Sequence, residues 1–344
     1  MSNERRHTPE RGAHTRRARK RRADIAADAG GNGVEVRDVG TSGIDNQTQA
    51  AELAEIRSQL LAWWDVNARD LPWRFGRTTP WGVLVSEVMS QQTQMSRVVP
   101  YWQSWIAVWP DARALSKASP AEVITAWGKL GYPRRALRLQ ACARVVSEQY
   151  QDELPKTYME LTNLPGVGDY TASAVMSFAY GERIAVLDTN IRRVLSRIFL
   201  GTQSQGGSSS LEERSLAAAM LPDDVHQSVL WNQALMELGA LTCTARKPLC
   251  ESCPLAQYCA FNAAGKPGLG LRPTRPRQHF KGTDRQVRGI ILDALRNASA
   301  HARVSREELD GLWSVSGQLD ACLASLDDDG LIMIHPDSSI SFPD

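Results

Sequence analysis

This 344-residue chain predicts a mainly α-helical protein that ends in a small mixed module. From Ala51 to about residue 263, apolar residues recur at helical spacing with almost no strand-like alternation. The last sixty or so residues change character and read as three short helices followed by a two-stranded hairpin, the order of a winged helix. Four of the six cysteines crowd into seventeen residues at the end of the helical region. With 42% hydrophobic residues and ten Trp, the chain has ample material for a core. No apolar stretch approaches the length needed to cross a membrane.

The elements follow in chain order. Residues 1–22 carry nine Lys/Arg against two Glu, while the whole chain sums to only +2, so the basic character is local. This arm, with the Gly/Asp/Ala-rich run behind it, has no apolar period; residues 1–50 are expected to be disordered, either holding a polyanion or simply solvated. AELAEIRSQLLAWWDVNA opens the helical part, and LPWR at 71–74 breaks it. The stretch from Trp81 to Trp109 supplies at least two helices, Asp111 to Tyr132 a pair, and RRALRLQACARVVSEQY a long amphipathic one. A loop at 201–210 precedes the helices of LEERSLAAAML and HQSVLWNQALMELGALTC. A Pro- and Gly-broken basic linker, assigned to 264–280, carries Lys266, Arg272, Arg275 and Arg277, and its positive run continues into Lys281, Arg285 and Arg288. The closing module is assigned to 281–344.

Cys243, Cys250, Cys253 and Cys259 have the spacing C-x6-C-x2-C-x5-C. Four thiolates on so short a tether read as a metal site, either zinc or an iron–sulfur cluster. Zinc ribbons bring together two C-x2-C pairs, and only one exists here, so the larger cluster suits the loop better. No apolar leader is seen at the N-terminus, which points to a reducing compartment and against structural disulfides. Cys142 and Cys322 sit in apolar helical patterns and read as core residues.

LPGVGDYTASAV, residues 164–175, lies between two helical segments. Gly166 and Gly168 are expected to adopt backbone conformations closed to other residues, and with Val167 and the next helix N-terminus they form an anion seat for one DNA phosphate. An ordinary helical-hairpin turn is the plainer alternative.

This glycine hairpin, VLDTN some twenty residues on, and the four-cysteine loop together resemble the endonuclease III superfamily of DNA glycosylases. Within it, LPWR, VSEVMSQQTQ, KLGY, LPGVGDYTA, VLDTNIRRVLSR and NQALMELGALTC are similar to the MutY-type adenine glycosylases, over about residues 55–263. The resemblance implies a helix-hairpin-helix fold: an iron–sulfur subdomain from 51–80 and 196–263, a six-helix subdomain from 81–195, and a [4Fe-4S] cluster on the four cysteines. It implies a base-excision enzyme that binds double-stranded DNA as a monomer and removes adenine opposite 8-oxoguanine or guanine, in the cytoplasm at the nucleoid.

The resemblance also assigns roles. Glu87, which by itself reads as a cap or surface carboxylate, maps onto the acid that protonates N7 of the flipped adenine. Asp188, otherwise an N-cap, maps onto the carboxylate that offsets positive charge at C1′. Tyr170 stands where the strand-cleaving branch has a lysine, which implies a monofunctional glycosylase. Gln91, Gln92, Thr93 and Tyr132 match the segments that fill the gap left by the flipped base. Trp73, Arg74, Gln233 and Asn190 match positions lining the adenine pocket or ordering the catalytic groups. The plainer readings are exposed polar residues for the glutamines and a core aromatic for Tyr132. Three departures stand out: Ser90 where the family commonly has Leu, Pro133 where it has a second Tyr, and no Nudix-like β-rich domain at the C-terminus.

Overall fold

Helix-starting residues set the architecture. The computed structural model describes residues 46–204, 207–271, 280–298 and 303–344; residues 1–45 of the arm, Arg272, Arg275 and Arg277 lie outside them, while residues 46–50, expected to be disordered, begin the first helix. Helix α1 (Asn46–Asn67) runs to the LPWR loop, which carries the chain into α2 (Pro80–Ser90). There the Thr79 hydroxyl accepts from the Gly82 amide and Pro80 fills the first turn. The QQT loop separates α2 from α3 (Met95–Val108), and α4 (Ala112–Ser116) follows. The next helix, α5 (Pro120–Trp127), begins with a reciprocal cap between Ser119 and Glu122. A turn through Gly131 and Tyr132 leads into α6 (Arg134–Gln149); α7 (Tyr158–Asn163) and α8 (Asp169–Phe178) flank the glycine hairpin. An extended segment reaches α9 (Thr189–Phe199), capped by Asp188, and α10 (Leu211–Met220) and α11 (Val225–Leu241) complete the helical body. The cysteine run folds as two short 3-10 turns, Cys250–Ser252 and Ala256–Tyr258, ending in α12 (Ala260–Ala263).

Among the described residues, buried side chains form three clusters. One gathers α2 to α8 around Trp102, Trp105 and Trp127. The second joins α1 with α9, α10 and α11 around Trp64 and Trp231, and Cys243, Cys253 and Cys259 pack at its edge. Within that core, Glu237 of α11 is wholly buried and bonds both Arg69 and Arg74 of the LPWR loop, so a buried carboxylate anchors the loop beside α2. The third cluster belongs to α13 (Asp284–Asn297), α14 (Arg306–Leu312) and α15 (Ser316–Asp328), with strands β1 (Met333–Ile334) and β2 (Ile340–Ser341). The strands pair antiparallel, and a bridge from Val304 to Ile340 adds a third short stretch of pairing. Three helices and a wing are the predicted order. Ile124 of α5 is fully buried in this third cluster and Leu137 of α6 packs on it, so the module is fused to the helical body.

Among the described residues, strands occur only in this last module, and no helix is long and apolar enough to cross a membrane.

Candidate active site

A cleft of about 1270 Å³ opens between the cores, and elements far apart in sequence line it. Helix α2 contributes Glu87, and the LPWR loop contributes Trp73 and Arg74. The QQT loop supplies Gln91, Gln92 and Thr93, α8 supplies Tyr170, the α9 start supplies Asp188 and Asn190, and α11 supplies Gln233. Tyr132 and the residues Gly166, Val167 and Gly168 lie outside this lining, and the cysteines surround a separate cavity.

Glu87 follows the apolar run of α2 and is only 8% exposed. The Tyr170 hydroxyl donates to its Oε2 at 2.6 Å. Burial pushes the Glu87 carboxyl up to about 7; the Tyr170 hydrogen bond pulls against this, Asp188 adds to it, and Arg74 opposes it. Burial, and then the two neighbouring carboxylates, hold the Tyr170 phenol well above its ordinary value, so it stays a donor. Asp188 is differently placed. Its Oδ1 accepts from the Ile191 amide at 2.6 Å, capping α9, and its Oδ2 accepts from Asn190 Nδ2 at 2.8 Å. Burial raises this carboxyl too, while those hydrogen bonds and Arg193 favour the ionised form. Both carboxyls are thus raised by burial, and they differ in their partners: Asp188 accepts from a backbone amide and a carboxamide that favour its ionised form, whereas Glu87 accepts from the Tyr170 hydroxyl.

The surrounding residues fix these groups. Trp73 packs tilted on Trp102, with ring centroids 5.4 Å apart. Arg74 is buried, donates to Glu237 Oε2 at 2.8 Å and stacks on Trp64 at 4.8 Å. Burial alone would raise the Glu237 carboxyl, but hydrogen bonds from Arg69 and Arg74 bring it down to about 2. Arg193 on α9 donates to Asn190 Oδ1 at 2.8 Å, to the Gly239 carbonyl at 2.7 Å and to the Cys243 carbonyl at 2.7 Å. A continuous polar path therefore links Asp188 to the cysteine loop. At the crossing of α9 and α11, a Cβ on Gly239 would stand 2.6 Å from Asn190 Cβ, so only glycine allows this approach.

Arg135, absent from the sequence-derived candidates, ties two loops together. It donates to the carbonyls of Val88 and Gln91, both at 2.7 Å, to the Gly131 carbonyl at 2.9 Å and to Thr93 Oγ1 at 3.3 Å. The tips of these loops, Gln92 at φ 56° and Tyr132 at φ 49°, occupy the left-handed region that non-glycine residues rarely adopt. Glu237 was equally invisible, because its role exists only through Arg69 and Arg74. Tyr170 was read for the lysine it replaces, and its bond to Glu87 had no sequence signal.

The glycine hairpin needs one correction. Gly166 has φ +79° and a Cβ there would meet Arg138 at 3.1 Å, so it behaves as expected. Gly168 has φ −106° and open space around it, a conformation available to any residue. Its position just before α8 instead leaves the helix start without a side chain over it.

The four cysteines are free and line one cavity with Arg197 and Phe261. Arg197 donates to Cys243 Sγ at 3.3 Å. Burial first, and after a backbone hydrogen bond that opposes it the neighbouring thiols, lift the Cys253 thiol to about 11. Four thiolates here therefore call for a compensating cationic centre, and the donor set fits a cluster of iron.

The chain matches the family described as HhH-GPD superfamily base excision DNA repair protein over residues 85–217, and the iron-sulfur binding domain of endonuclease III over residues 243–259. An adenine DNA glycosylase of Mycolicibacterium smegmatis is 47% identical over 275 residues, 80% of this chain and 91% of that protein. One from Mycobacterium tuberculosis is 45% identical over 289 residues, 83% and 93% of the two. The solved structure of a thermostable thymine-DNA glycosylase superposes with a TM-score of 0.58 at 28% identity, covering 63% of this chain and 99% of that one.

Proposed function

Since the chain belongs to the adenine DNA glycosylase family, we propose that it excises adenine paired with 8-oxoguanine or guanine in double-stranded DNA, acting in base excision repair as a monofunctional, monomeric enzyme. Its cofactor is a [4Fe-4S] cluster. We assign its ligation to Cys243, Cys250, Cys253 and Cys259, where it shapes the loop carrying the exposed Arg246 and Lys247. The substrate places the enzyme at the chromosome, in the cytoplasmic nucleoid.

The observation that carries this reading is the Glu87–Tyr170–Asp188 constellation in one cleft. Tyr170 occupies Glu87 Oε2, so the proton is offered on Oε1 toward a flipped base. Glu87 gives that proton to adenine N7, making the purine a neutral leaving group as the C1′–N9 bond breaks. Positive charge grows on the sugar, and ionised Asp188, held by the Ile191 amide and Asn190, offsets it until water adds at C1′ and gives its proton to the Glu87 carboxylate. No lysine stands at position 170, so the product is an abasic site with the strand intact. Trp73, Arg74 and Gln233 border the base; Gln91, Gln92, Thr93 and Tyr132 fill the gap; and the amides after Gly166 and Val167 hold a phosphate.

Base release from defined A:8-oxoguanine, A:G and T:G duplexes, with alkali to reveal abasic sites, tests this. Release from both adenine mispairs is expected, with cleavage only after alkali. The likeness to a thymine-DNA glycosylase makes T:G the informative rival, and product from T:G alone would overturn the proposal.

A further inference from the structure

The C-terminal module has the element order of a winged helix, but its charges do not suit a groove reader. Residues 281–344 hold eleven Asp/Glu against six Lys/Arg. Helix α15, the third helix, carries Asp320, Asp327 and Asp328 and no Lys or Arg. Such a helix would repel a phosphate backbone. Three of the module's cations instead gather at and just before the start of its first helix: Lys281, Arg285 and Arg288.

That helix sits beside the Gly131–Tyr132 turn. Arg288 bonds Asp329 at 2.6 Å, and Asp329 also pairs with Arg134, two residues after Tyr132, at 3.0 Å. Lys129, on the other side of the turn, pairs with Asp293 at 3.3 Å. Ile124 and Leu137 bury apolar surface into the module on either flank of the same turn. The exposed Arg285 places its guanidinium 5.9 Å from the Tyr132 ring centroid, and Arg135 stands 5.7 Å from the same ring. Tyr132 itself is 53% exposed in a left-handed backbone conformation, so its ring is held chiefly by the guanidinium groups beside it.

We infer that the module is a brace for Tyr132, with Arg285 the positioning residue that sets how this ring meets the purine opposite adenine. The inference rests on the proposed role of Tyr132 at the opposite base. A guanidinium on an aromatic face, when exposed, shifts an equilibrium by about two- to fivefold. The effect is therefore expected in discrimination between opposite bases rather than in bond breaking itself.

The test uses the full-length, cluster-loaded protein and single-turnover adenine release from A:8-oxoguanine and A:G duplexes. Arg285→Ala is expected to change the rate ratio of the two duplexes about two- to fivefold, Arg285→Lys to restore much of it, and Arg306→Ala, elsewhere on the module, to leave it unchanged. In a Tyr132→Ala background, Arg285→Ala should add nothing. If Tyr132→Ala alters the ratio and Arg285→Ala does not, or if the two effects simply add, the brace is wrong while the wedge stands. If Tyr132→Ala itself leaves the ratio unchanged, the wedge reading fails and takes the brace with it. Equal loss of binding on every duplex with a shallower salt dependence would make Arg285 a plain phosphate contact and also overturn the inference.

Discussion

The acid role proposed for Glu87 ties protonation, rate and stability to one carboxyl. Its value is raised to about 7 from an ordinary 4.5, so the stability it contributes is complete below pH 4.5 and is lost as pH rises through 7. Glu87→Gln should therefore match the parent protein in denaturant melts at the acidic end and exceed it above pH 7, by an amount on the order of 3 kcal/mol. The same substitution should abolish adenine release while DNA binding survives, and parent turnover should fall as pH rises past 7. Tyr170→Phe removes a hydrogen bond that lowers the Glu87 value, so the alkaline limb of the pH–rate profile should move to higher pH; an unmoved limb would separate Tyr170 from the acid. Read alone, the sequence left Glu87 a cap or surface carboxylate, and the family resemblance supplied its expected task. They did not show Tyr170 against it, because a contact across 83 positions leaves no trace in local spacing.

Helix α9 shows how an element serves the site. Asp188 caps it, Asn190 and Arg193 carry hydrogen bonds from the cap toward the cysteine loop, and Gly239 on α11 lets the two helices close. Gly239→Ala should force them apart, at a cost of about 1–3 kcal/mol, and should displace Asn190. The expected result is a lower denaturation midpoint together with a slower single-turnover rate. A loss of stability with no change in rate would uncouple this crossing from Asp188. Of the helix starts, Asp188 was read as a cap from the sequence, while Thr79, Ser119 and Ser210 cap theirs by the same residue chemistry in the structure. The glycine hairpin was half legible. Gly166 requires its left-handed turn, whereas Gly168 is permitted rather than required by its backbone.

At the scale of the molecule, the cysteine loop closes against the same core that carries α9 and α11, through Arg197 and Phe261. Cys250→Ser should lower iron content, bleach the visible absorption and weaken folding or DNA affinity before it alters bond cleavage. A variant with normal binding but no turnover would contradict that order. By itself, the sequence determined the mainly helical class, the helix starts, the cysteine cofactor motif and the family, because each is written in local periodicity, capping chemistry or the spacing of a few residues. Only the tertiary structure decided that Tyr170 meets Glu87, that Glu237 holds Arg74, that Arg135 ties the QQT loop to Tyr132, and that the last module docks beside that ring. Each of these is a contact between distant segments. Its energy comes from pairing charged and hydrogen-bonding groups that burial has stripped of water, and the environment that brings them together exists only once the chain has folded.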